Sequence, residues 1–306
     1  MIYTLTTNPS IDMNMSMEGL KSGKVNRANQ TTYTPNGKGL NVSFVLKHYG
    51  IPSTILGFFG GFSGNYIVDE FKKAGHEVKP IWVEDVTRIN VSLFDGEAEY
   101  KCNNQGSYVP RDKQDELLYL VQKADDMECL AISGSLPPGI DVDYYDEILS
   151  VCKRKGIEVI LDISSPKMAE LLKYQPLLIK PNDEELMEVY DMQIQSEEDA
   201  IAALELLHHG GAQNVLLTMG DRGSYFYNGT HVYYASAQPI QLLSSACAGD
   251  SALAAFLSVW FSNRNEVESA LKLSAATGAN VAESLGIGTL DKVSEYKHNI
   301  QVKIVK

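Results

Sequence analysis

Short apolar runs alternate along the chain with segments whose apolar residues recur at helical spacing. Runs such as "STILGFF", "EVILDIS" and "NVLLTMG" predict strands buried on both faces of a sheet, because they are continuously apolar and brief. Segments such as "NYIVDEFKKAG" and "EDAIAALELLHHGG" predict the helices between them. The pattern therefore predicts an α/β protein with a doubly wound, largely parallel sheet.

Two regions interrupt this alternation. Residues 12–35 and 88–108 contain strand-like segments without an intervening helix, and "FDGEAEY" predicts a hairpin around Asp95 and Gly96. We expect them to form a small β lid over the carboxyl ends of the sheet, where open α/β sheets bind ligands. No internal repeat or linker divides the chain, so residues 1–306 are predicted to be one domain.

Composition limits the partners. The net charge is −13 and no segment concentrates Lys or Arg, which disfavours binding to nucleic acid or to an acidic membrane. Four cysteines without C-x-x-C spacing indicate reduced thiols, and no basic, apolar leader precedes "MIYTLTTNPSID". The longest apolar run falls well short of the ~20 residues of a membrane span. These features predict a cytoplasmic protein.

Two segments have the composition of anion-binding helix starts. In "PNGKGLNVS", Gly37 and Gly39 allow close backbone approach, Lys38 offers a cation, and Asn41 lies on the first helical turn. The segment lacks the G-x-x-x-x-G-K-[ST] pattern, and an ordinary loop-to-helix turn is the alternative.

The second segment is "SSACAGDSALAAF". Backbone N–H groups at this helix start can face a transferring phosphoryl group, and Asp250 can take a proton from a substrate hydroxyl. The alternative is that Asp250 only complements the helix dipole, an effect of about 0.3–1 kcal/mol.

Two more segments follow predicted strands. In "KPNDEEL", Asn182 and Glu185 share a helical face and can order the water shell of Mg²⁺, although they also match an ordinary capping box. In "LLTMGDRGSYF", glycines after a strand allow a nucleotide to approach the backbone, although any strand-turn-strand unit has such glycines. The fingerprints G-x-G-x-x-G and H-E-x-x-H do not occur.

Taken in order, "NPSID", "NGKGLNVS", "GGFSG", "TRINV", "SGSLPPG", "LDIS", "KPNDEE", "TMGDRG" and "ACAGDS" resemble the PfkB-type carbohydrate kinases of the ribokinase-like superfamily. The likeness spans the chain and is greatest to the branch that holds tagatose-6-phosphate kinase and 1-phosphofructokinase. It implies a three-layer α/β/α fold, a phosphotransferase that uses ATP and Mg²⁺, and a sugar hydroxyl as acceptor.

The resemblance also implies roles for individual residues. The catalytic group would comprise Asp250 as the base and the anion-hole amides of Ala248 and Gly249. The substrate would be bound by Asp12, Gly37, Lys38, Asn41, Arg88, Asn90 and Asn103. The nucleotide would contact Asn182, Thr218, Gly220, Gly223, Gly278 and Asn280, and Glu185 would hold Mg²⁺ through water.

Arg88 indicates that the substrate carries a phosphate. A guanidinium group binds a phosphate through two parallel hydrogen bonds, and a free sugar has no such group. We therefore expect a ketohexose monophosphate. The lid sequence "YKCNNQG" differs from the "TEINEPG" common in fructose-1-phosphate enzymes, most visibly at Lys101, and favours tagatose 6-phosphate over fructose 1-phosphate.

Cys247 is the second departure from the family pattern, because it stands where relatives have the first anion-hole glycine. A side chain there penalises positive-φ geometry, and Lys38 is our candidate to supply compensating positive charge. The substitution keeps open an alternative of another class, a nucleotide or sugar-phosphate sensor without turnover. A homodimer also stays open.

Overall fold

The computed structural model describes residues 1–306, and its strands form two separate sheets. In chain order the strands are β1 (Ile2–Thr6), β2 (Ser10–Ser16), β3 (Gln30–Asn36), β4 (Ser53–Gly60), β5 (Glu77–Val83), β6 (Arg88–Phe94), β7 (Glu99–Cys102), β8 (Cys129–Ser133), β9 (Glu158–Asp162), β10 (Leu178–Ile179), β11 (Val215–Thr218), β12 (Ser224–Tyr227), β13 (Val232–Ala235) and β14 (Val302–Ile304).

Ten α-helices accompany the strands. They are α1 (Lys38–His48), α2 (Gly61–Lys73), α3 (Arg111–Lys123), α4 (Tyr144–Lys155), α5 (Met168–Leu171), α6 (Asp183–Tyr190), α7 (Glu197–His209), α8 (Ala248–Trp260), α9 (Val267–Ala282) and α10 (Val293–Asn299). None of them is long and apolar enough to cross a bilayer.

The large sheet has ten strands in the order β14-β13-β12-β11-β10-β9-β8-β1-β4-β5. Strands from β11 to β5 pair in parallel, and β12, β13 and β14 add an antiparallel edge. The strand order reverses direction at β1, so the carboxyl ends of β1 and its neighbours border the crevice expected of a doubly wound sheet.

Helices cover both faces of this sheet because strand side chains alternate between the faces. In β1, Tyr3 and Leu5 join the core formed with α3, α4 and α7, whereas Ile2 joins the core formed with α1, α8 and α9. The predicted three-layer α/β/α fold is confirmed.

The small sheet has four strands in the order β3-β2-β6-β7. Its strands begin at Ser10 and end at Cys102, so residues 103–108 of the predicted lid form a loop beyond it. The predicted hairpin is confirmed, since β6 and β7 pair antiparallel and the Asp95 carboxylate accepts hydrogen bonds from the backbone of Glu97 and Ala98.

Candidate active site

The carboxyl ends of three neighbouring strands form the floor of the site. Thr6, Ser133 and Asp162 end β1, β8 and β9 and lie in register with one another. All three residues are buried. The Oγ of Ser133 and the Oδ2 of Asp162 have no hydrogen-bond partner, although buried polar atoms are normally paired. Two oxygens are therefore free at the floor for a ligand or water.

Helix α1 starts directly above this floor, and its glycines permit the approach. A Cβ on Gly39 would lie 2.6 Å from Thr6 Oγ1 and 2.8 Å from the Leu5 carbonyl oxygen. Thr6 Oγ1 also accepts a hydrogen bond from the Leu40 N–H at 3.0 Å. Any larger residue at position 39 would push the helix start away from the strand.

Lys38, the first residue of α1, takes part in a buried charge cluster. Its Nζ lies 3.1 Å from Asp162 Oδ1 and 3.8 Å from Glu185 Oε1. Burial acts to lower the pKa of Lys38, but attraction to Asp162, Asp250 and Glu185 outweighs it and raises the pKa. Lys38 is therefore a fixed cation at the floor of the site.

Lys180 is a second cation in this cluster, and the sequence analysis did not single it out. It is 3% exposed, and its Nζ lies 3.2 Å from Asp162 Oδ1. The same Nζ would be 3.5 Å from a Cβ on Gly249, so the amine faces the predicted anion hole. Its position directly after the buried strand "LLI" was the available signal.

Asp162 was also missed as a site residue, although "LDIS" was among the family motifs. Burial acts to raise the pKa of its carboxyl, but Lys180 and Lys38 outweigh burial and lower it. Asp162 is accordingly a carboxylate that neutralises part of the lysine charge.

Asp250 lies in the first turn of α8 and is buried. Its Oδ2 accepts a hydrogen bond from Asn41 Nδ2 at 2.9 Å. Burial and the negative charge of Asp162 raise its pKa, while Lys38, Asn41 and Lys180 act to lower it. A raised pKa suits a group that must accept a proton during turnover.

Cys247 immediately precedes α8 in the left-handed region, with φ of 64°. This is the backbone geometry that the sequence analysis expected a glycine to favour, and it costs a non-glycine residue about 1–2 kcal/mol. Burial, together with Asp250 and Asp12, raises the pKa of Cys247 to about 12, so its thiol stays protonated.

Asp12 approaches the same region from β2 of the small sheet. Its Oδ1 accepts hydrogen bonds from Ser10 Oγ and Asn90 Nδ2, each at 3.0 Å, and its Oδ2 accepts one from Asn36 Nδ2. Asn36 was not predicted, although it stands at the start of the quoted "NGKG" motif. These contacts orient the carboxylate from both sides.

Arg88, the first residue of β6, lines a cavity of about 200 Å³. Its Nη2 donates to the Asn8 carbonyl at 2.9 Å and its Nη1 donates to the Asn104 carbonyl at 3.0 Å, while Nε is buried without a partner. No hydrophobic residue lines the cavity, whose walls are formed by Thr6, Asn8, Gly37, Lys38, Arg88, Ser133, Gly134, Ser135 and Ser164. Arg88 and Lys38 thus border one cavity.

Asn103 does not join this group, since it is exposed and no side-chain hydrogen bond ties it to the site. Its neighbour Asn104 does, because its N–H donates to Asn90 Oδ1 at 3.2 Å and its carbonyl accepts from Arg88. In this structure Asn104, and not Asn103, is hydrogen-bonded to the predicted site residues Asn90 and Arg88.

On the opposite side, Asn182 and Glu185 form the capping box that the sequence analysis gave as an alternative. Asn182 Oδ1 accepts from the Glu185 N–H at 2.7 Å, and Glu185 Oε2 accepts from the Asn182 N–H at 3.1 Å. Glu185 Oε1 accepts from Ser164 Oγ at 2.6 Å and faces Lys38. The box therefore fixes Glu185 beside the charge cluster.

Five further predicted nucleotide contacts lie at the end of β11, in the turn that follows it, and on α9. Thr218 ends β11 beside Asn182, and Gly220 and Gly223 follow it with φ of 56° and 86°. Gly278 packs α9 against α8, since a Cβ there would lie 3.3 Å from the Ala252 methyl.

Asn280, the last of these residues, is buried. Its Oδ1 accepts from the Lys292 N–H at 2.9 Å. This contact ties α9 to the start of α10.

Near the charge cluster, only one or two carboxylates are placed so that they could bind Mg²⁺. No group of three acidic, His or Cys residues is assembled to hold a metal. Mg²⁺ usually takes only one or two protein carboxylates and completes its shell with water and substrate phosphates. Asp162 Oδ2 is unpaired and Glu185 lies beside the cluster, so these two carboxylates suit that mode of binding.

Similarity to known proteins defines the class of this protein. Residues 5–292 match the pfkB family carbohydrate kinases. The chain belongs to this family and is a phosphotransferase with an alcohol group as acceptor and ATP as co-substrate.

Three individual proteins are similar to this chain over almost its whole length. The chain is 48% identical over 302 residues to a D-tagatose-1-phosphate kinase of Klebsiella oxytoca, covering 99% of each chain. It is 34% identical to a 1-phosphofructokinase of Bacillus subtilis, again over 99% of each. In structure it is similar to a putative phosphofructokinase from Staphylococcus aureus, with a TM-score of 0.88, 30% identity, and coverage of 100% of this chain and 99% of the other.

Proposed function

We propose that the protein transfers the γ-phosphoryl group of ATP to the C6 hydroxyl of a ketohexose 1-phosphate, with D-tagatose 1-phosphate as the preferred substrate. The observation that carries this proposal is the 48% identity with a D-tagatose-1-phosphate kinase over 99% of both chains. The polar cavity bordered by Arg88 and Lys38 supports it, because a phosphorylated sugar needs a cation at its phosphate and another near the reacting hydroxyl.

In this proposal the lid side binds the substrate phosphate. Arg88 already donates to two backbone carbonyls, and its buried Nε still lacks an acceptor. A phosphate oxygen would satisfy that donor. Asp12 would accept hydrogen bonds from sugar hydroxyls, and Asn90 would donate a hydrogen bond to one. Together they would orient the C6 end of the sugar toward Asp250.

The floor of the site carries out the transfer. Asp250 takes the proton of the C6 hydroxyl, the hydroxyl oxygen forms a bond to the γ-phosphorus, and the bond from that phosphorus to the ADP oxygen breaks. Amides of Ala248 and Gly249, with Lys38 and Lys180, face the charge on the transferring group. Mg²⁺, held by Glu185 through water and by Asp162, would neutralise phosphate charge when bound.

The nucleotide would lie along the ends of β10 and β11. Asn182 and Thr218 are paired there, with Gly220 and Gly223 following, and the space beside Gly220 is open because a Cβ on it would meet no atom within 4 Å. The contacts of Gly278 and Asn280 fit helix packing equally well. The small sheet would act as a lid of a single kinase domain and exclude water on closing.

Tagatose 6-phosphate is the second candidate, because the lid sequence "YKCNNQG" favours it. It would present its C1 hydroxyl to Asp250 and place its phosphate at the other end of the sugar. Both reactions yield the same 1,6-bisphosphate, so only the substrate tested can separate them.

The deciding experiment is a coupled ADP-release assay with Mg-ATP against tagatose 1-phosphate, fructose 1-phosphate, tagatose 6-phosphate, fructose 6-phosphate and free hexoses. We expect the highest kcat/KM with tagatose 1-phosphate, a lower value with fructose 1-phosphate, and no turnover of free hexoses. A higher kcat/KM with tagatose 6-phosphate would replace the first candidate with the second. Binding of every sugar phosphate without turnover would instead favour a sensor.

Oligomeric state is a separate prediction. A homodimer stays open as the assembly of this chain, and sedimentation equilibrium measures it directly.

A further inference from the structure

A chain of four polar side chains runs from the small sheet to α8. Asp12 Oδ2 accepts from Asn36 Nδ2, and Asn36 Oδ1 accepts from Asn41 Nδ2 at 2.8 Å. Asn41 Nδ2 also donates to Asp250 Oδ2 at 2.9 Å. The chain therefore links the carboxylate proposed to hold the sugar to the carboxylate proposed to act as base, across 238 positions of sequence between Asp12 and Asp250.

The donors and acceptors around the Asn36 and Asn41 side chains are compatible with only one orientation of each amide. Asn41 Nδ2 has two hydrogens, and both are used, one toward Asn36 and one toward Asp250. Asn36 Oδ1 additionally accepts from the Gly37 N–H at 2.6 Å. A rotated Asn36 amide would set its NH₂ against these donors and its oxygen against the Asp12 carboxylate. Moving one member of the chain thus disturbs the others.

Cys247 lies against the middle of this chain. Its Sγ is 3.9 Å from Asn36 Oδ1, a weak S–H contact from the left-handed residue that precedes α8. Since the thiol is neutral, it shields the amide oxygen without adding charge. The residue that departs from the family pattern therefore contacts Asn36.

We propose that Asn36 is a positioning residue that couples sugar binding at Asp12 to the orientation of Asp250. The coupling rests on the proposed function, in which Asp12 contacts sugar hydroxyls and Asp250 accepts the proton. A sugar that draws Asp12 toward itself acts on Asn36, then on Asn41, and finally on the hydrogen bond to the base. In this role Asn36 acts through its contacts with Asp12 and Asn41 and not through the reacting atoms.

The proposal predicts a change in the proton affinity of Asp250. The charged groups that face Asp250 are Asp162 from β9, Lys38 from α1 and Lys180 after β10, with Asn41 as its hydrogen-bond donor. Without Asn36, the Asn41 amide is free to turn away, and Asp250 loses a contact that stabilises its ionised form. The acid limb of the kcat pH profile should then move to higher pH.

The first test compares Asn36→Ala with Asn65→Ala in the full-length enzyme. Asn65 is an exposed residue of α2 whose amide donates only to a carbonyl of its own helix, so it is a matched control. We expect Asn36→Ala to lower kcat about 10-fold to 100-fold and raise the sugar KM, because hydrogen bonds to charged groups are of this strength. The KM for ATP should not change.

A second variant, Asn36→Asp, keeps the shape of the side chain and so guards against a simple folding defect. It retains the acceptor toward Asn41 but sets a second carboxylate against Asp12. We expect a raised sugar KM that falls as the pH is lowered, because a proton shared by the two carboxyls restores the link. Thermal unfolding and nucleotide binding verify that each variant is folded.

A double-mutant cycle with Asn41→Ala completes the test. If Asn36 acts through Asn41, the loss of kcat in the double variant should equal that of Asn41→Ala alone. The coupling would be overturned if the kcat losses of the two single variants multiplied in the double variant. It would also be overturned if the acid limb of the kcat pH profile of Asn36→Ala stayed where it is in the wild type. If wild-type enzyme turns over a sugar phosphate in the same assay and Asp250→Ala does not, the proposed function stands whatever the result for Asn36.

Discussion

The floor of the site and the lid are built on opposite principles. In the floor, Asp162 is fully buried and Lys180 nearly so, and their charged groups pair at 3.2 Å. In the lid, every residue of β7 is exposed, as are five of the seven residues of β3. A buried charge must be matched by its neighbours to exist, whereas a solvated one need not be. Changes in the floor should therefore alter chemistry or stability, and changes in the lid should alter affinity.

The largest expected effect is that of Asp250→Ala. Removing a general base lowers kcat by about 10²-fold to 10⁴-fold. Because burial raises the pKa of Asp250, its ionised form opposes folding above the unfolded-state pKa, so the variant should be no less stable than the wild type at neutral pH. Turnover and urea unfolding measure the two effects, with exposed Asp69→Ala as control. Near-normal turnover would refute the assignment.

Asp162→Asn should affect stability most. Breaking a buried ion pair costs about 3–5 kcal/mol, and the change leaves Lys38 and Lys180 without their common carboxylate. The fold lowers the pKa of Asp162, so its contribution is present above the unfolded-state pKa and is lost as pH falls through the folded-state pKa. The difference in unfolding free energy should be full at pH 7 and shrink in acid. A difference in unfolding free energy that does not change with pH would contradict the assignment of this stability to the ionised Asp162.

Lys38→Ala tests whether Lys38 stabilises the charge of the transition state or only helps to bind the nucleotide. We expect kcat to fall about 100-fold while ATP binding changes little, because the amine lies among the groups that would face the transferring phosphoryl. Initial rates and calorimetric titration with ATP measure the two quantities. Lys303→Ala, which removes an exposed lysine far from the site, serves as control. Equal small effects on both quantities would exclude the proposed role.

Arg88→Ala should act on affinity, as expected for the lid side. Losing hydrogen bonds to a phosphate should raise the sugar-phosphate KM about 10-fold to 100-fold and leave the ATP KM unchanged. Arg111→Ala removes an exposed arginine paired with Glu147 and is the matched control. An equal rise in KM for both substrates would place Arg88 outside phosphate recognition.

The smallest effect should be that of Cys247→Gly. Glycine relieves a left-handed conformation that costs about 1–2 kcal/mol. It also loses more conformational freedom on folding, which offsets about 0.5–1 kcal/mol of the gain. We expect stabilisation of about 0–1.5 kcal/mol and a change in kcat of less than tenfold. A large rise in kcat would show that Cys247 restrains the enzyme.

Local sequence predicted much of this molecule. Buried apolar runs predicted β4, β9 and β11, the Asp95–Gly96 turn predicted a hairpin, and the helix start at Asp250 was anticipated together with the left-handed strain at Cys247. Such features depend on residues within one or two turns of each other. Asp162 ends the buried strand β9 and Lys180 directly follows the buried strand β10, so a polar residue at the carboxyl end of a buried strand was the available sequence signal for both.

Contacts between distant segments were beyond the reach of the sequence. By itself the sequence determined the α/β alternation, the glycines that let α1 approach β1, and the presence of a carboxylate at a helix start. Only the tertiary structure decided that Asn36 bridges Asp12 and Asn41, and that Lys180 faces Gly249. The physical reason is that Asn41 and Asp250 meet across 209 positions, through the packing of α1 and α8 on one face of the sheet, which no local pattern encodes.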